Sequence, residues 1–200
     1  MKLAEVQAVS LYGEVKVLQT DDGELRTRTL ILATGSSFTK LNIPGEEEFL
    51  GNGVSHCASC DGAFFMDQPV AVIGGGDAAL DEGIHLTQYA SQVTIIHRRD
   101  ELRACQLLQD RAQSTDKITF RWHTAVKAIE GDGTVQRVQL EDLQTGERAH
   151  LEVAGVFLFA GITPNSQFVQ GVVPLNEQGQ ILTDLWMRTA VPGILAAGDI

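Results

Sequence analysis

Cys57 and Cys60 stand three positions apart in Cys57-Ala58-Ser59-Cys60-Asp61-Gly62. At this spacing, at the start of a helix, two sulfurs can close a small disulfide ring, and the helix dipole helps to stabilise a thiolate. Asp61, directly after the pair, is placed to give or take a proton as thiol and disulfide interconvert. A short way on, the apolar run Val70-Ala71-Val72-Ile73 leads into Gly74-Gly75-Gly76-Asp77-Ala78-Ala79, a dinucleotide-type turn. Either motif alone is weak, since C-x-x-C also binds zinc and G-x-G-x-x-A arises by chance in glycine-rich chains. In this order they point to electrons moving from a nicotinamide toward a disulfide.

Zinc is the main rival for the cysteines. A structural zinc site usually takes four ligands, and only His56, awkwardly adjacent, and the remote Cys105 could complete one, so no metal site is expected. Cys105, on an expected helix, reads as a packed or idle thiol. His56 reads equally as a residue that tunes a neighbouring thiolate and as a plain surface residue. Trp122 and Trp186 read as core or interface aromatics.

The glycine turn needs a strand before it and a helix after it. Val70 to Ile73 predicts the strand, Asp77 to Tyr89 the helix, and Val93 to His97 a second strand. In such a unit Gly74 and Gly76 take the tight-turn and close-approach positions, and Ala79 lets helix pack on strand. Backbone amides of the turn and the helix N-terminus then face a pyrophosphate. A bare glycine-rich turn is the alternative. At the end of the second strand, where sites preferring NAD place an acidic residue, this chain has His97-Arg98-Arg99, with Arg103 one turn on. Guanidinium groups make bidentate bonds to phosphate, which favours NADPH over NADH. The alternative is a solvated basic turn paired with Asp100 and Glu101.

The whole chain, 200 residues and 44% hydrophobic, can bury a core of one or two small domains. Its longest apolar stretch, Val153 to Ile162, is too short to span a bilayer, and the start Met1-Lys2-Leu3-Ala4-Glu5 builds no signal-peptide core. A cytoplasmic location is the default expectation. A net charge of −11 argues against nucleic acid and anionic membrane as partners. Three cysteines without a secretion signal favour a reactive pair over a disulfide framework.

One pattern occurs twice. Residues Val126 to Gly161 form short strands broken at Gly131-Asp132-Gly133 and Gln144-Thr145-Gly146, followed by a buried strand ending at Gly161. Glu14 to Thr20, the turn Asp21-Asp22-Gly23, Glu24 to Thr29 and Leu30 to Ala33, entering Thr34-Gly35, repeat it. A complete nucleotide-binding β-α-β unit precedes the later copy and almost nothing the earlier one, so the chain is expected to begin inside a nucleotide-binding domain, with Met1 an internal methionine. Pro192 to Ile200 reads as a strand entering a ligand-binding turn. The expected division is 1–42 and 163–200 as two pieces of one incomplete domain, with 43–162 inserted between them and Pro44 and Pro164 near the crossovers.

These segments, together with His97-Arg98-Arg99-Asp100-Glu101-Leu102-Arg103-Ala104, Gly161-Ile162-Thr163-Pro164-Asn165 and Ala196-Ala197-Gly198-Asp199, resemble the low-molecular-weight bacterial thioredoxin reductases, in collinear order through nearly the whole chain. The resemblance implies an α/β fold in which an NADPH-binding Rossmann-like domain, with a parallel sheet, helices and an antiparallel β-meander, is inserted in an incomplete FAD-binding domain. It implies hydride passing from NADPH to FAD, to the cysteine pair, and on to the disulfide of thioredoxin. By position, Cys60 faces the flavin, Cys57 exchanges with thioredoxin and Asp61 serves as the acid. Gly74, Gly75, Gly76, Asp77, Ala78, His97 and Gly161 would border NADPH, and Arg98, Arg99 and Arg103 would hold its 2′-phosphate. Thr34, Gly35, Gly198 and Asp199 would border FAD. A homodimer and a rotation of one domain against the other, hinged near Pro44 and Pro164, are implied as well. The family's first glycine-rich loop and the helix after Asp199 have no counterpart here, so these residues alone are expected to hold NADPH better than FAD and to turn over little. A reductase serving a peroxiredoxin, and a non-catalytic NADPH-binding module, are the competing readings.

Overall fold

The computed structural model describes residues 3–200, so Met1 and Lys2, including the reading of Met1 as internal, lie outside the described residues. Two compact units divide the chain: residues up to Ser37 with Ile162–Ile200, and Phe38–Gly161.

The first unit opens with an antiparallel meander of β1 (Val6–Tyr12), β2 (Val15–Thr20) and β3 (Gly23–Thr27). β1 is a strand that the residue pattern did not predict. Its register on β2 slips between Val6 and Ala8, and this bulge breaks the alternation by which a strand is recognised. β4 (Leu30–Leu32) and β5 (Ser36–Phe38) follow.

The central unit holds a five-stranded sheet whose strands all run parallel. Its members are β6 (Val54–Ser55), β7 (Pro69–Ile73), β8 (Gln92–Ile96), β9 (Ile118–Arg121) and, after a second meander, β13 (Gly155–Leu158), in the spatial order β6-β13-β7-β8-β9. That meander comprises β10 (Thr124–Asp132), β11 (Thr134–Asp142) and β12 (Arg148–Glu152). Three helices complete the unit: α1 (Ala58–Asp61), α2 (Asp77–Leu86) and α3 (Gln106–Gln113).

The apolar runs of β7, β8 and β13 follow from burial on both faces. Alternation sends Ala71, Ile73, Val156 and Leu158 toward one core with Val126, Ile129, Val138 and Leu140 of the meander. Val70, Val72, Val93, Ile95 and Phe157 face the opposite core, with Ala79, Leu80, Leu86 and Ala112 from the helices. The unit therefore has three layers, meander, sheet and helices. Leu80 is fully buried, and its truncation to Ala would cost about 2–5 kcal/mol.

α2 stops at Leu86 rather than at Tyr89. The amides of Thr87, Gln88 and Tyr89 bond three residues back instead of four, and the Thr87 hydroxyl donates to the Ile84 carbonyl, tightening the chain out of the helix. Residues 38–42 pack with the central unit. Leu41 and Ile43 lie against its core, and the buried Glu46 carboxylate accepts the amides of Leu41, Asn42 and Ile43.

The chain returns to the first unit through β14 (Ile162–Pro164), which pairs with β5, and ends in β15 (Ile194–Ala196), parallel to β4. Val9, Leu32, Val169, Val173, Ile181, Ile194 and Ile200 form this unit's core. Trp186 is not part of it: the ring is exposed, with the Arg188 guanidinium 5.6 Å from its centroid. Trp122 is half-buried and stacked on Phe120. No helix of the described residues is long and apolar enough to cross a membrane.

Candidate functional site

In a parallel sheet the loops beyond the strand C-termini share one edge, where ligands of such folds bind. At that edge of the central unit the cysteine pair follows β6, the glycine turn follows β7, His97 to Arg99 follow β8, and Gly161 follows β13.

Cys57 and Cys60 are joined in a disulfide, with Cα atoms 5.3 Å apart. Cys57 is extended and forms the N-cap of α1, its Sγ accepting from the Cys60 amide at 3.1 Å. Cys60 is exposed and Cys57 half-buried. A buried hydroxyl organises the turn: Ser55 Oγ donates to Asp61 Oδ2 at 2.6 Å and accepts from the Cys57 amide at 3.0 Å. That fixes the Asp61 carboxylate against the backbone that carries Cys57. His56 is neither a free surface residue nor turned into the disulfide ring by any hydrogen bond. Its Nδ1 donates to the Leu158 carbonyl at 3.1 Å, and its ring stacks on Phe38 with centroids 4.3 Å apart. One further residue reaches α1: Glu82 Oε2 accepts from the Ala58 amide at 2.9 Å. Residue spacing did not reveal Ser55 or Glu82; Glu82 meets its partner across 24 positions, by the packing of α2 against α1.

The glycine turn is a cradle that side chains would fill. At Gly74, φ is 152°, and a Cβ would lie 2.6 Å from the Phe159 carbonyl and 2.8 Å from the Ala79 Cβ. At Gly75 a Cβ would enter the His97 ring, 2.5 Å from its Cε1. Gly76 is the N-cap of α2, extended, with open space beside it. Asp77 and Ala78 begin the helix on its exposed side. The Asp77 carboxylate accepts the Cys105 amide at 2.7 Å, so it holds the loop that carries the arginines. Cys105 is the exposed N-cap of α3, not a packed helix thiol. Gly161, with φ 121°, accepts the Thr39 amide.

Gly74, Gly75, His97, Arg98 and Arg103 line one cavity at the sheet edge. Arg99 lies beside it in sequence without lining it. All three arginines are exposed, and among the described residues none has a carboxylate within ion-pair distance, so the pairing with Asp100 and Glu101 is not formed. The amides of Arg103 and Ala104 both donate to the Gly75 carbonyl, at 2.7 and 3.2 Å, closing the arginine loop onto the glycine turn. His97 is 7% exposed, and its Nε2 has no hydrogen-bond partner. Burial pushes this imidazole below the ordinary histidine range; the charges of Arg103, Arg99 and Arg98 add to the effect, against an opposing hydrogen bond that the ring donates to the Glu101 carbonyl. A turn whose Gly74 and Gly75 leave no room for a side chain, and two unpaired guanidinium groups on one cavity, suit a phosphorylated dinucleotide.

In the first unit, β4 and β15 are parallel neighbours, so Thr34-Gly35 and Gly198-Asp199 leave the same edge. Gly35 and Gly198 have φ of 64° and 89°, with open space at the Cβ position of each. Thr34 and Asn165 exchange hydrogen bonds, Thr34 Oγ1 to the Asn165 carbonyl and Asn165 Nδ2 to the Thr34 carbonyl, which fixes this loop. Glycine backbone with open space beside it at a parallel-sheet edge suits a second nucleotide.

Known proteins resemble this chain along nearly its whole length. The thioredoxin reductase of Mycolicibacterium smegmatis is 44% identical over 100% of the chain and 65% of its own length, and that of Bacillus subtilis is 46% identical over 94% and 60%. Among solved structures, the thioredoxin reductase of Lactococcus lactis superposes with a TM-score of 0.84 at 44% identity, covering 98% of this chain and 65% of its own. The chain thus spans about 60–65% of the length of these relatives. Residues 1–200 match the family described as pyridine nucleotide-disulphide oxidoreductase, and with a glycine cradle and a cysteine pair on one sheet edge the chain belongs to that family.

Proposed function

We propose that this chain is part of an NADPH-dependent flavoprotein disulfide reductase that passes electrons through Cys57 and Cys60 to thioredoxin or a thioredoxin-like protein. The observation that carries the reading is the Cys57–Cys60 disulfide at the N-cap of α1, on the same sheet edge as the glycine cradle. The central unit is taken as the NADPH domain and the other as the FAD domain, in a cytoplasmic protein acting as a homodimer. Gly74, Gly75, Gly76, Asp77, Ala78, His97 and Gly161 would border the dinucleotide, Arg98, Arg99 and Arg103 its 2′-phosphate, and Thr34, Gly35, Gly198 and Asp199 the flavin.

When bound, FAD and NADPH supply the two electrons that reduce the disulfide. The residues of the chain perform the exchange. Cys57 as thiolate attacks one sulfur of the partner disulfide, and the other partner sulfur leaves and takes a proton. Cys60 then attacks Cys57 in the mixed disulfide, which frees the second partner thiol and re-forms Cys57–Cys60. Asp61, held by Ser55, is the group beside the pair that carries a proton between these steps.

The test separates the two halves. The chain is reduced with dithiothreitol, desalted and mixed with oxidised thioredoxin, and the thiols transferred are counted. A second sample, supplied with FAD, is followed by visible absorption as NADPH is added without oxygen. Transfer of two thiols, lost in C57S, supports the reading, as does bleaching of the flavin band. A dithiol form that leaves thioredoxin oxidised refutes the assignment of partner.

A further inference from the structure

The carboxylate of Glu82 contacts the cysteine helix from outside the C-x-x-C-D segment. Its Oε2 accepts from the amide of Ala58, the first residue of α1 and the one bonded directly to Cys57. This amide is among those a helix N-terminus leaves unpaired, and such donors, with the partial positive charge they carry, favour a thiolate at the N-cap. Cys57 Sγ already accepts the Cys60 amide, and the Glu82 carboxylate fixes a negative charge on the amide of Ala58, the residue next to Cys57. The other charged or titratable groups around the pair are Asp61 on α1 itself, His56 before it, and Asp81, His85 and Arg111, which line the same surface groove as Ser59 and Glu82. Of these, His56 is committed to the Leu158 carbonyl and Asp61 to Ser55. Glu82 alone among them bonds the helix-start amide.

We propose that Glu82 is a positioning residue that sets the acidity of Cys57, a role resting on the redox reading above. By holding a negative charge one residue from Cys57, it opposes a thiolate at the N-cap and keeps the Cys57 thiol from becoming strongly acidic. An attacking thiol exchanges fastest when its pKa lies near the ambient pH, and a strongly stabilised thiolate makes its disulfide an oxidant. Glu82 therefore poises the pair to donate electrons to a partner rather than to withdraw them.

E82Q removes the charge and keeps an oxygen that can accept from Ala58; E82A removes both. Cys57 is isolated by C60S and C105S in every sample, and its alkylation by iodoacetamide is followed against pH, with thermal unfolding recorded in parallel. In E82Q the pH of half-maximal alkylation should fall by about 0.5 to 1, the size of one charge near a partly solvated thiol. In E82A it should fall by a similar amount, because the same charge is lost. With the cysteine pair intact and only C105S present, E82Q should also shift the glutathione equilibrium about threefold or more toward the dithiol form, measured at pH 8.5, where the thiolate counts. An unchanged or raised alkylation midpoint in both folded variants overturns the proposal. Alkylation of Cys57 requires neither flavin nor thioredoxin, so failure here is distinct from failure of the partner assignment, which the thiol-transfer count reads.

Discussion

Replacing Arg98 and Arg103 by Ala should remove most of the preference for NADPH while leaving NADH binding in place. Both guanidinium groups line the cavity that holds Gly74 and Gly75, and neither has a carboxylate within ion-pair distance among the described residues. Binding a phosphate therefore breaks no existing bridge. A hydrogen bond to a charged group contributes about 1.5–3 kcal/mol, and the exposure of both side chains argues for the lower end. At about 1.5 kcal/mol each, a single change weakens NADPH roughly tenfold and the double change roughly a hundredfold. NADH lacks the 2′-phosphate, so its affinity should move by less than about a factor of two. Because the pairs are exposed, raising salt from about 0.05 to 0.5 M should shrink the preference of the unmodified protein and leave the double variant unaffected. The assay is a fluorescence titration of each nucleotide into each protein at both salt concentrations. Equal weakening of NADPH and NADH, or no change in either, would refute the assignment of these arginines to the 2′-phosphate.

Three further outcomes are expected. Ser55→Ala leaves the half-buried Cys57 amide without its partner and removes the donor to Asp61, so unfolding free energy should drop by about 1–3 kcal/mol, read by denaturant titration, with thiol transfer to thioredoxin slowed in the folded fraction. Gly75→Ala drives a methyl group into the His97 ring and should cost about 1–3 kcal/mol and weaken both nucleotides together, in contrast to the arginine variants. The depressed His97 pKa means that the unfolded chain binds more protons than the folded one as pH falls below about 6.5, so stability should decline through that window toward the lower folded value. His97→Asn should flatten that slope, as thermal unfolding between about pH 5 and 7.5 would show.

The features legible in the residues are those with a short repeat or a fixed spacing. β7, β8 and β13 were visible because burial on both faces demands unbroken apolar runs, and the cysteine pair because its partners are three positions apart. What escaped lacks such a signature. β1 hides behind its bulge, and the end of α2 depends on one threonine hydroxyl. Glu82 and Ser55 act through contacts that only the folded turn creates. Cys105 was expected on a helix, yet the Asp77 carboxylate draws its amide to the helix start and leaves the thiol exposed. Trp186, apolar enough for a core, sits exposed in a loop where Asp184 Oδ1 accepts the amides of Trp186 and Arg188.

The arginine loop is latched to the glycine turn by the main-chain amides of Arg103 and Ala104, not by any guanidinium. Backbone bonds are indifferent to the side chain they carry. On the proposed assignment, the choice of nucleotide is separable from the scaffold that presents it: positions 98 and 103 can change charge without loosening the latch. Conversion toward the unphosphorylated cofactor would then need only a few surface side chains to change, at little cost in stability.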